Sequence, residues 1–74
     1  MSHVPILRAG DLVKILKKLG FKPVRQKGSH IFFEHPDGRT TLVSIHKGED
    51  IGRGLLRQIL REIDISPEDF MKLL

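Results

Sequence analysis

The sequence predicts an α+β fold in the order α-β-β-β-α-α, a three-stranded antiparallel sheet with its helices on one face. Two helical stripes, one near each end of the chain, enclose a central stretch rich in β-branched and aromatic residues. Pro36-Asp37-Gly38 interrupts that stretch as a turn between two strands. A chain of 74 residues has room for one small core, so residues 1–74 are expected to form a single domain, without a repeat or a linker.

The first helix is expected over about Ala9–Leu19. Leu12, Val13, Ile15, Leu16 and Leu19 fall on one stripe, and Lys14, Lys17 and Lys18 lie on the other side. Gly20 caps its end, Phe21 folds back on the last turn, and the terminal lysines suit the helix dipole. Lys22–Gln26 reads as a short basic strand, with Pro23 pointing to an edge position. Lys27–Ser29 turns the chain, Ile31–His35 is the clearest strand, and Thr40–His46 returns beside it.

The turn length sets the register. A three-residue loop, a type I turn with Gly38 at a bulge, pairs His35 with Arg39. Ile31 then faces Val43, Ser29 faces Ile45 and His30 faces Ser44. Ile31, Phe33, Val43 and Ile45 share the face under the helices, and His30, Phe32, Glu34, Leu42, Ser44 and His46 share the other. A two-residue loop would split the apolar set, so the first register is preferred. Lys47-Gly48-Glu49-Asp50 reads as a polar loop. From Ile51 the pattern is helical again, with Leu55, Leu56, Ile59, Leu60 and Ile63 inward and Arg53, Arg57 and Arg61 recurring every fourth residue. Ser66-Pro67-Glu68-Asp69 opens a short third helix, an N-cap serine followed by proline and two acids. Phe70, Met71, Leu73 and Leu74 are expected to close over the core.

Composition narrows the functional classes. There is no cysteine, hence no disulfide and no thiolate zinc site. No apolar run reaches the length of a membrane span, and Met1-Ser2-His3-Val4-Pro5 lacks the apolar core of a signal peptide, so a soluble cytoplasmic protein is expected. Charge is uneven: residues 1–48 carry nine Lys/Arg against three acids, and residues 49–74 carry four against six. The basic half surrounds Lys27-Gly28-Ser29-His30 and would concentrate polyanions there.

His30 is the candidate for chemistry, because imidazole, with an unperturbed pKa of about 6.5, exchanges protons near neutrality. The ordinary alternative is a pair of surface histidines with no role. Metal binding is not expected, since His30, His35 and His46 lack ligand spacing and His35 points to the opposite face. Ser29 has no readable Asp/His pair to activate it as a nucleophile. A histidine fits best with a substrate that carries its own nucleophile, as RNA does in its 2′-hydroxyl.

Five segments carry a resemblance in their order and spacing: Leu19-Gly20-Phe21, Arg25-Gln26-Lys27-Gly28-Ser29-His30, His35-Pro36-Asp37-Gly38-Arg39, Val43-Ser44-Ile45-His46, and Gly54-Leu55-Leu56-Arg57-Gln58-Ile59-Leu60. From about Pro5 to Leu74 the chain resembles the HicA family of small toxins from type II toxin–antitoxin pairs. The resemblance implies a fold like the double-stranded RNA-binding domain and activity as an mRNA interferase. It also implies a HicB-like antitoxin that covers the active site. The family's catalytic histidine matches His30. On this reading the protein is a metal-independent endoribonuclease that needs no cofactor. Lys22, Arg25, Lys27 and Ser29 are RNA- or phosphate-binding candidates, and His46 and Lys47 are auxiliary ones. The rival reading is a non-catalytic RNA-binding module, since the implied fold also serves proteins that only grip RNA. A toxin reduced to antitoxin binding is a third.

Overall fold

The computed structural model describes residues 4–45 and 50–74. In chain order the elements are β1 (Leu7–Arg8), α1 (Ala9–Lys18), β2 (Lys22–Lys27), β3 (His30–Glu34), β4 (Thr40–Ser44), β5 (Asp50–Ile51), α2 (Arg53–Glu62) and α3 (Pro67–Met71). Strands β2, β3 and β4 form an antiparallel sheet in that order, with the helices on one face, as in double-stranded RNA-binding domains. A second, two-stranded ladder pairs Leu7 with Ile51 and Arg8 with Asp50. Its strands are two residues long and 42 positions apart, so neither carries a periodic signal of its own. That pairing changes the expected helix boundary. Ile51 is buried in β5, and α2 starts after it, at Arg53, behind Gly52.

The hairpin register is the one the three-residue loop requires. Ile31 pairs with Val43, Phe32 with Leu42 and His30 with Ser44, while the His35 N–H donates to the Arg39 carbonyl at 2.8 Å. Phe33 and Val43 are fully buried against Leu12, Leu16, Leu56, Ile59, Leu60 and Ile63. Thr41, on the same face, is also buried and donates its hydroxyl to the Glu62 carboxylate at 2.7 Å, which satisfies it. The end of α1 is a Schellman cap. Gly20 has φ 101°, its N–H donates to the Lys17 carbonyl, and the Phe21 N–H donates to the Leu16 carbonyl.

Three expectations need correction. Lys27 belongs to β2 and pairs with His30, so only Gly28-Ser29 form the loop. Gly28 has φ 58° and Ser29 does not have a positive φ, the φ pattern of a type II′ hairpin, whose twist matches the flanking strands. Leu55 is 39 % exposed, one position outside the α2 stripe that Leu56, Ile59, Leu60 and Ile63 complete. At the C-terminus Phe70 is buried and Leu73 packs partly against the core, but Met71 and Leu74 face outward, because α3 is too short to turn more than one side inward. Its Ser66 cap is as expected: the side chain accepts from the Asp69 N–H at 3.1 Å.

Candidate nucleic-acid interface

The sheet face away from the helices is built in rows across the three strands. Lys27, His30 and Ser44 form one row, and Arg25, Phe32 and Leu42 the next. Lys22, Glu34 and Thr40 form the third. A regular strand could not supply all three cations of β2. Alternation would send Lys22 to the face opposite Arg25 and Lys27. The ladder slips by one residue between Pro23 and Arg25, leaving Val24 unpaired, so that Pro23 opposes Phe33 and Arg25 opposes Phe32. This bulge moves Lys22, Arg25 and Lys27 onto the face of His30. Pro23 is the residue that carried a signal for it, because proline within sheets is confined to edges, strand starts and bulges.

A shallow concavity of ≈ 290 Å³ lies on this face, lined by Arg25, Lys27, His30, Phe32 and Leu42. Phe32 is 37 % exposed and Leu42 48 %, so an aromatic ring and an aliphatic side chain lie open between basic residues. Among the described residues, no ion pair engages Lys22, Arg25 or Lys27, and their charge remains available to an outside anion. His30 is exposed at the start of β3, beside the Gly28-Ser29 loop. The Gln26 side-chain amide donates to the Gly28 carbonyl at 3.2 Å and braces that loop.

Ser29 stands apart from this set. It is half-buried, its carbonyl accepts from the Ile45 N–H at 2.6 Å, and its register position faces Ile45 on the helical side. Its closeness to His30 in sequence is not alignment with it. His46 and Lys47 lie outside the described residues. Among the described residues no group of three or more His, Cys, Asp or Glu comes together as a metal site would need.

His35 lies behind the sheet with a structural task. Its Nε2 donates to the Leu19 carbonyl at 3.2 Å, its Nδ1 lies 3.1 Å from the Asp37 N–H, and its ring meets Phe21 edge-on at 5.0 Å. Arg39 stacks over the other part of the same cluster, its guanidinium 5.2 Å from the Phe21 ring centre, and donates to the Ile63 carbonyl. The hairpin end is thus fastened to the C-termini of both long helices. Asp37 completes it. The N–H of Arg39 and, less strongly, its guanidinium hold the Asp37 carboxyl below its ordinary value. Among the described residues no helix is long and apolar enough to cross a membrane.

A family model described as the HicA toxin of bacterial toxin–antitoxin systems matches residues 9–65. No curated protein matches the chain.

Proposed function

Because the chain belongs to the HicA toxin family and is the toxin of a toxin–antitoxin pair, we propose that it acts as an endoribonuclease on mRNA, with His30 as general acid/base. The observation that carries this reading is the row Lys27–His30–Ser44, which stands a proton-transfer group directly beside a cation on an exposed, basic face. Neutral His30 accepts the proton of a ribose 2′-hydroxyl, and the oxygen attacks the adjacent phosphorus. The bond from phosphorus to the 5′-oxygen breaks, that oxygen takes up a proton from water, and protonated His30 returns its proton to the hydroxide so formed, which restores the neutral imidazole. Lys27 and Arg25 stabilise the charge gathering on the phosphoryl oxygens, and Lys22 holds a neighbouring phosphate. The nucleophile comes with the substrate, so the reaction requires no metal-bound water. The partner is a HicB-like antitoxin that covers this face, and the toxin acts in the cytoplasm, where mRNA is.

The test is incubation of the purified protein with matched RNA and DNA oligonucleotides, with and without chelator. RNA alone is expected to be cut, in chelator as well, leaving a cyclic phosphate or its hydrolysis product upstream. His30→Ala should lower the rate about 10²–10⁴-fold with the circular dichroism spectrum unchanged. Cutting that requires a divalent metal, or equal cutting of DNA, overturns the mechanism. Binding without cutting makes the protein an RNA-binding module.

A further inference from the structure

Phe32 lies on the open face, where strand alternation puts it. Its neighbours turn to the core, Phe33 fully buried and Ile31 packed partly against it, whereas Phe32 leaves more than a third of its surface in water. Leu42, its cross-strand partner, is more exposed still. Single exposed apolar residues are ordinary on a protein surface; this pair is set apart because the two lie side by side across the strands and line one concavity with Arg25, Lys27 and His30. Its flanks say what binds. Arg25 lies opposite Phe32 on one side and Lys27 is two residues along the same edge strand, so cations border the apolar pair along β2, while Glu34, two residues from Phe32 on the same face, lies in the row of Lys22.

The spacing matches one nucleotide. His30 and Phe32 are two residues apart on one face, about 6.6 Å along the strand, and Lys27 and Arg25 repeat that interval on β2 one strand away. A phosphate chain following Lys27 and Arg25 along the sheet edge would hold a ribose near His30 and turn its base inward over Phe32 and Leu42. Bases within an A-form duplex present no free π-face, because they are stacked on their neighbours and their deep groove is closed to side chains. We infer that Phe32 is a stacking platform for one unpaired base next to the scissile phosphate, and that the substrate of this face is single-stranded RNA. The inference rests on RNA being the ligand of the open face, as proposed above, and goes beyond it by naming the substrate class and a specificity residue.

The experiment uses a short labelled RNA with a mapped cleavage site, supplied single-stranded, annealed to its complement, and with an abasic ribose at each position flanking the cut. Wild type, Phe32→Ala and Phe32→Tyr are compared for kcat/KM. Binding of the same RNAs by His30→Ala is followed by anisotropy. Annealing is expected to abolish cleavage. One abasic position should cost about 10-fold or more, Phe32→Ala should cost a similar factor, and Phe32→Tyr should retain the wild-type rate. In Phe32→Ala the same abasic position should cost nothing further, because the stacked pair is already lost. Duplex cut as fast as single strand, or losses from Phe32→Ala and the abasic site that multiply, overturns the inference. So does a Phe32→Ala protein that cuts normally but no longer binds its antitoxin. If no RNA is cut by wild type, the endoribonuclease reading fails. The stacking inference then stands or falls on whether His30→Ala prefers the intact single strand over the duplex and the abasic RNA.

Discussion

His35 donates its Nε2–H to the carbonyl oxygen of Leu19, 3.2 Å away, and so ties the end of β3 to the cap of α1. The carbonyl can only accept, which assigns the proton to Nε2 in that contact. Gly20 lies against the same ring: a Cβ there would stand 3.0 Å from His35 Nε2. Two histidines five residues apart on one hairpin arm therefore stand in opposite surroundings, His30 on the open face and His35 in the scaffold.

His35→Ala should lower stability by roughly 1–3 kcal/mol, because a partly buried carbonyl loses its donor and Phe21 loses an edge-on neighbour. RNA cleavage by the folded fraction should stay at the wild-type level. Gly20→Ala should cost roughly 1–2 kcal/mol from its φ of 101° alone and more from the clash with the ring. In a His35→Ala background the clash component disappears, so the two costs should sum to more than the double mutant loses. Urea denaturation of the four proteins measures this; strict additivity would show that the ring does not crowd Gly20.

The cations gathered by the β2 bulge should appear in the salt dependence of RNA binding. Arg25→Ala and Lys27→Ala should each reduce the slope of log K against log salt concentration by about 0.7, the value for one single-strand phosphate contact. Arg57→Ala, on the exposed ridge of α2, should leave it unchanged. Titrations in the His30→Ala background at several salt concentrations provide the slopes. An Arg57 effect as large as that of Lys27 would move the phosphate track off the sheet.

The antitoxin is expected to bury His30, Phe32 and part of β2, meeting the basic rows with an acidic surface. Complementary charge speeds association and makes it salt-sensitive, while Phe32 and Leu42 supply lasting contact. Reversing charge at Arg25 and Lys27 should slow association with a HicB-like partner more than reversing Arg57 and Arg61. Association rates measured against ionic strength for both double mutants decide it. A larger effect from the α2 pair would place the antitoxin on the helical side.

Asp37 links the hairpin to pH. Its carboxyl is held below its ordinary value by Arg39, so the folded state binds its proton less readily than the unfolded chain. The stability this adds is present at neutral pH, above the unfolded value of about 3.9, and is lost as pH falls from there through the lower folded value. Asp37→Asn should lower Tm at neutral pH, and the gap to wild type should narrow as the buffer is taken below the carboxylate range. A gap that widens on acidification would mean that the charge opposes folding.

Much of this architecture is written locally in the chain. The 3.6-residue stripe places α1 and most of α2, the Gly20 and Ser66 caps bound their helices, and Pro36-Asp37-Gly38 sets the β3–β4 register. With the register comes the separation of His30 from His35, since alternation puts residues five apart on opposite faces. The exposed Leu55, Met71 and Leu74 show where periodicity overreaches: hydrophobic character marks a residue as able to be buried, and neighbouring elements decide whether it is. The β1–β5 ladder and the His35 and Arg39 fastenings depend on partners distant in sequence. The same is true of the feature that makes the candidate site. Lys22, Arg25 and Lys27 share a face because β2 has one residue more than β3 across the bulge. That mismatch arises only when the two strands are laid side by side.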